Sequence, residues 1–331
     1  MREIKFSEIA KVKCFEPGER PVFLLRFTNG ESLVVKAESN SNGRNADAII
    51  PLMAKMMKQV SPQVKATILS GAEMNALVAL SGDLAKFRGQ DESRKYLELY
   101  VTEGRQMFAF YKMPFVENLT DFDKVTTKVS AAFMFMQLDT VALHQLGKIV
   151  AVDLFIGNHD RFTPDGRVQN AGNLLFQSSN GRLTPIGLDF YEAQGIASDL
   201  HDSSPEDTYG RNGKRTFQWA GMVLQSEMHI RCYAGLAIKG LNGEFAKLQG
   251  NSSVELLKHT DVIAFANGML EGMRALRDFL QFRGGLPSGV AERMRRLGWS
   301  AARPTTPPPP FQTTGRHDYV TSFQRRSLNG C

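Results

Sequence analysis

Apolar and polar positions change their spacing twice along the chain. Near the N-terminus the apolar runs are short and rich in β-branched and aromatic residues. Val22-Phe23-Leu24-Leu25-Arg26-Phe27 predicts a strand, Thr28-Asn29-Gly30-Glu31 a turn built on Asn-Gly, and Ser32–Glu38 a second strand. Side chains alternate faces along a strand, so Val34 and Lys36 share one face and Val35 takes the other. Residues 39–45 read as loop and residues 46–58 as helix, with Pro51 in its first turns, where proline is tolerated. A further helix is expected over about 71–87. Lys95–Val101 reads as a strand, with Met107–Phe115 as its hairpin partner.

After Asp121 the spacing becomes helical. Phe133, Met136, Val141 and Leu143 predict a mainly helical stretch to residue 156, and Phe133-Met134-Phe135-Met136 reads as its core. Residues 170–190 return to short strands around Ser178-Ser179-Asn180-Gly181, and residues 217–297 are helical again. The expected class is α+β and bilobal: a strand-rich N-lobe over 1–116, a helical C-lobe over 117–300 and a tail over 301–331. A cleft between two lobes is a common place for a ligand.

Composition narrows the function classes. The chain has 331 residues, 42% hydrophobic and 22% charged, the balance of a globular protein. No run of 18 apolar residues predicts a transmembrane helix. The formal charge of +6 is concentrated. Residues 281–331 hold eight basic and two acidic residues, which leaves 32 of each sign in residues 1–280. A nucleic-acid-binding body would carry its surplus in the folded part, so no nucleic-acid partner is expected. Cys14, Cys232 and Cys331 are odd in number and far apart, which fits a reducing compartment, a cytoplasmic setting and no disulfide framework. Five of the 14 prolines fall between Pro304 and Pro310, an extended segment that an SH3-type partner could read.

The candidate chemistry lies in one region. Asp153-Leu-Phe-Ile-Gly157-Asn158-His159-Asp160-Arg161-Phe162 precedes Asn170-Ala-Gly172-Asn173-Leu174-Leu175-Phe176 and then Pro185-Ile-Gly187-Leu188-Asp189-Phe190. An Asp enters a loop, an Asn leads into an apolar strand, and an Asp closes the next strand. Phosphoryl transfer needs such parts: a carboxylate to orient the attacking hydroxyl and accept its proton, an Asn and an Asp to hold Mg²⁺, and a lysine against the phosphates. Lys36 in Val34-Val35-Lys36 is the candidate lysine. Taken singly, each residue has a plainer reading: Lys36 a strand-end lysine, Asp160-Arg161 a surface ion pair, Asp189 a capped turn. Asp153 reads as structural, bonding the loop backbone, and His159 as loop packing.

These residues together resemble the actin-fragmin kinase group, an atypical protein kinase family near the phosphoinositide kinases and the bacterial HipA-type kinases. The likeness runs over about residues 20–285. It implies a protein-kinase-like fold and use of ATP and Mg²⁺. Asp160 would be the catalytic base, with Arg161 a structural or phosphate-facing partner. Asn173 and Asp189 would be the metal ligands. Lys36 would bind phosphate, with Val34 beside it, Asp47 as its carboxylate partner and Glu73 as the second choice, and Met113 opening a linker-like Met113–Asp121. The acceptor would be Ser or Thr of a protein.

Three departures keep alternatives open. Asp160 and Asn173 lie thirteen apart, where a protein kinase catalytic loop has five, so Thr163–Gln169 must loop out. Such an insertion suits the actin-fragmin kinase group better than the phosphoinositide kinases. The only phosphate-loop candidate, Phe15–Arg20, carries one glycine, and no glutamate is well placed after Lys36. The missing glycine loop and glutamate, with the proline-rich tail, leave a pseudokinase scaffold beside the protein kinase; Asp160-Arg161 and the basic Arg211–Arg215 stretch leave a phosphoinositide kinase, and transfer of AMP stands as a further reaction on the same fold. A bacterial effector working in host cytosol would suit the group. The polar stretch 191–216 is where an activation loop would fall, with Ser203, Ser204 and Thr208 as acceptors and Lys214 and Arg215 as phosphate partners, or it is a solvated loop.

Overall fold

The computed structural model describes residues 1–15, 22–39, 46–87, 91–99, 101, 108–121, 134, 137–158, 160–163, 165–188, 220–249 and 256–299. Five N-terminal strands form one antiparallel sheet: β1 (Ile9–Phe15), β2 (Val22–Phe27), β3 (Ser32–Ser39), β4 (Thr67–Ile68) and β5 (Phe108–Pro114), in the order β1-β2-β3-β5-β4. The β2–β3 hairpin turns where Asn-Gly predicts it. Gly30 takes φ +86°, a left-handed conformation that costs glycine nothing, and its N–H donates to the carbonyl of Phe27.

Register assigns the two faces of this sheet. Leu33 pairs with Pro114, Val35 with Lys112 and Ala37 with Phe110. Leu33, Val35, Ala37 and Phe110 are buried in a core that includes Leu77 and Leu80 of helix α2 (Gly71–Ser81). The opposite face carries Val34 against Met113, Lys36 against Tyr111 and Glu38 against Ala109. Its Ala109, Tyr111 and Met113 belong to the larger core, with Ile50, Met53 and Met57 of helix α1 (Ala46–Lys58).

Two N-terminal expectations are corrected. The helix begun at 71 ends at Ser81, and Leu84–Phe87 is a separate 3₁₀ turn. Lys95–Val101 is not a strand: Asp91–Glu98 forms helix α3, and β5 pairs with β3 and β4 instead. Burial gives the reason. In a strand Leu97, Leu99 and Val101 would share a face, yet Leu97 and Val101 are fully buried while Leu99 is 47% exposed. The separation of four is the helical one, and Arg94 pairs with Glu98 at the same spacing.

The second sheet contains β6 (Leu119–Asp121), β7 (Leu175–Ser179) and β8 (Arg182–Ile186), all antiparallel. Asn180 and Gly181 join β7 to β8 with φ +50° and +73°, the left-handed pair a tight hairpin uses. Helix α4 (Thr140–Ile156) starts at Asp139, whose carboxylate accepts the N–H of Ala142, and is buried along nearly its whole second half. Val141, expected in the apolar set, is 69% exposed, because position two of this helix faces outward while Leu143 and Leu146 face in. Met134 is buried, and Phe133, Phe135 and Met136 lie outside the described residues.

Helices α5 (Glu227–Gln249), α6 (His259–Leu280) and α7 (Ser288–Arg296) complete the C-terminal part. α4 and α6 touch backbone to backbone: a Cβ on Gly268 would stand 1.9 Å from the carbonyl oxygen of His144. After α7, Trp299 stacks on Phe155 of α4 with ring centroids 5.3 Å apart. The proline-rich tail and the 191–216 stretch lie outside the described residues. Among the described residues no helix is long and apolar enough to cross a membrane.

Candidate active site

α4 delivers the chain to the predicted loop and stops there. Gly157 caps it in the left-handed conformation, φ +80°, and its N–H returns to the carbonyls of Asp153 and Leu154. Asp153, on the last turn, organises the loop beyond the cap. Asn158 donates to Asp153 twice, from its backbone N–H to the carbonyl oxygen at 2.8 Å and from Nδ2 to Oδ1 at 3.0 Å. The Asn158 side-chain oxygen accepts the N–H of Asp160 at 3.1 Å. This bracing role of Asn158 is not among the sequence-based expectations; an Asn just past a helix-ending glycine is the signal that could have found it.

Arg161 turns inward. Its Nη1 lies 2.9 Å from Asp153 Oδ2 and its Nη2 donates to the carbonyl of Leu188 at 2.5 Å, with the residue 1% exposed. Of the two roles the resemblance allows, the geometry is that of a structural partner: the guanidinium braces the loop against the segment that follows β8, one residue before Asp189. Burial pushes the Asp153 carboxyl up to about 6, while Arg161 and Asn158 pull it the other way.

The insertion does not separate Asp160 from Asn173. Asn173 closes a short 3₁₀ turn, Ala171–Asn173, which Asn170 caps by accepting the N–H of Gly172. Its Nδ2 donates to Asp160 Oδ2 at 2.5 Å, so residues thirteen apart in sequence share one hydrogen bond. Asp160 is half-buried and Asn173 buried. Asp189 and His159 lie outside the described residues.

On the sheet side, Lys36 is half-buried on the face that carries Val34, Tyr111 and Met113. Met113 is buried opposite Val34. Asp47 falls in the first turn of α1, and its side chain is outside the described residues. Glu73 is corrected as a partner for Lys36. It packs on the other face of the sheet, forms a buried ion pair with Lys112, and also accepts the N–H groups of Ile4 and Ser70. Burial raises this carboxyl, but Lys112 and the two N–H donors outweigh it and hold it below its ordinary range.

Among the described residues no group of three or more His, Cys, Asp or Glu is placed to hold a metal. The donor chemistry at Asn173 nevertheless fits Mg²⁺. Its NH₂ donates to Asp160, which leaves the amide oxygen as the atom that could face a cation. A hard oxygen beside a carboxylate is what that cation prefers.

Comparison with known proteins adds the family. The family model described as actin-fragmin kinase, catalytic, matches residues 1–213, which span the five-stranded sheet, α4 and every residue of the candidate site. No curated protein matches the chain.

Proposed function

The chain belongs to the actin-fragmin kinase catalytic family, and on that premise we propose that it transfers the γ-phosphoryl group of ATP to a serine or threonine hydroxyl of a protein, with Mg²⁺. The observation that carries this reading is the Asn173–Asp160 hydrogen bond across the insertion. It sets a carboxylate and an amide oxygen side by side, the pairing that orients a hydroxyl on one hand and a metal on the other.

Each residue then has a role. Asp160 orients the acceptor hydroxyl and takes its proton. Asn173, with Asp189, would hold Mg²⁺, which when bound neutralises charge on the transferred phosphoryl group. Lys36 would bind the phosphates from the sheet. Arg161 and Asp153 act through the loop: their buried ion pair and the bond to Leu188 fix the distance between the loop and the approach to Asp189.

Incubation of the purified chain with γ-labelled ATP, Mg²⁺ and a mixed protein substrate, followed by phosphoamino-acid analysis, tests the proposal. Label on phosphoserine or phosphothreonine, lost in Asp160→Ala and Asp189→Ala, is the expected result. Equal incorporation by wild type and both variants refutes it, and label appearing only with lipid vesicles reassigns the acceptor.

A further inference from the structure

The insertion between Asp160 and Asn173 is a built object. Phe162 and Val168 bridge as a short antiparallel pair. Within it Thr163 N–H donates to the carbonyl of Arg167, Gly166 N–H to that of Thr163, and Arg167 N–H to Thr163 Oγ1. Its base is anchored by Phe162, buried edge-on against Phe265 of α6, and its turn rests on α5, which lies beyond the family-matched segment.

α5 presents one face to the hairpin. Tyr233 Oη donates to the carbonyl of Thr163 at 3.3 Å. Leu236 and Ala237 lie under Gly166, where a Cβ would stand 2.5 Å from Leu236 Cβ. Gly240 lies under the same turn: a Cβ there would stand 2.1 Å from the carbonyl oxygen of Gly166 and 3.1 Å from Arg167 Cα. Positions 233, 236, 237 and 240 are spaced as neighbours along one helical stripe. Glycine is thus met by glycine, and the hairpin backbone rests directly on the helix.

We propose that this stripe is a seat that sets the reach of the insertion, making Gly240 and Tyr233 positioning residues for the reaction at Asp160 and Asn173. The inference rests on the kinase reading. The hairpin has Asp160 at its entry and Asn173 shortly after its exit, so a shift of the hairpin moves one against the other. Relieving a 2.1 Å contact requires a shift of about 1 Å, and misplacement on that scale costs roughly 100-fold in a reaction that depends on alignment.

Two substitutions in the same helix separate positioning from packing. Gly240→Ala and Gly243→Ala make the same change in helix propensity, but a Cβ on Gly243 meets nothing within 4 Å. With the full chain, Gly240→Ala should lower kcat roughly 10- to 100-fold with the KM for ATP within about twofold. It should also weaken Mn²⁺ binding to the ADP complex, read by calorimetry, by about tenfold. Gly243→Ala should match wild type in both. If the two variants behave alike, the seat is only packing and the proposal is overturned. If Gly240→Ala does not fold, Tyr233→Phe decides: a several-fold fall in kcat and weaker Mn²⁺ binding support the seat, and wild-type values overturn it. A wild-type protein that binds Mn²⁺ and ADP but transfers no phosphate removes the kinase reading alone, and the seat is then judged by metal affinity. A wild type that binds neither removes both.

Discussion

The Arg161 guanidinium lies 2.9 Å from the Asp153 carboxylate, and both side chains are buried. Removing one partner strands a charge without water, a change that typically costs ~3–5 kcal/mol. Arg161→Ala should therefore lose about that much stability in urea unfolding. Arg161→Lys should recover only part of it, because one ammonium cannot span Asp153 and the Leu188 carbonyl as the planar fork does.

The same carboxylate makes a pH prediction. Its folded pKa is raised to about 6 from 3.8, so between those values the folded state binds the proton more tightly than the unfolded chain. This group's contribution therefore makes stability fall as pH rises from about 4 to about 6, by up to ~3 kcal/mol. Asp153→Asn should remove that part of the slope. Unfolding free energies measured across pH 4–7 check it, and an unchanged slope in the variant contradicts it.

Glu73 and Lys36 should separate cleanly. Glu73→Ala breaks the buried pair with Lys112 and strips acceptors from Ile4 and Ser70, so it should cost ~3–5 kcal/mol. Because it lies on the far face of the sheet, ATP affinity in the folded variant should stay within about twofold of wild type. Lys36→Met should instead weaken ATP binding by about tenfold or more. Nucleotide titrations paired with thermal melts read both.

Trp299 marks where the packed C-terminus ends among the described residues. Its stack on Phe155 couples the segment after α7 to the helix that leads into the Asp160 loop. Truncation after Ser300 should leave Tm and ATP turnover intact. Trp299→Ala should lower stability by ~1–3 kcal/mol, since the ring is only partly buried. The check is calorimetric unfolding of the two proteins beside wild type.

Much of this was legible in the chain because local rules carry it. Asn29-Gly30 and Asn180-Gly181 mark their hairpins by turn chemistry alone, and the alternation around Lys36 placed it on the face opposite Val35. Asp160 and Asn173 stood out by residue type and order, and the structure brings those two together; Asp189 lies outside the described residues. What was hidden depends on contacts across distance. Lys95–Val101 alternates like a strand, and only its surroundings bury Leu97 and Val101 while exposing Leu99. Glu73 looked available to Lys36 because sequence does not say which sheet face a later helix covers. Tyr233 and Gly240 lie some seventy residues from the loop they support, with no local pattern to announce them.

On the proposed reading Asp160, held by Asn173, handles the acceptor proton. Asp160→Asn keeps the size of the side chain and removes its basicity. Phosphoryl transfer measured at saturating ATP and Mg²⁺ should fall by ~10²–10⁴-fold, with ATP affinity within about twofold of wild type. Transfer at the wild-type rate by a folded Asp160→Asn protein would rule that role out.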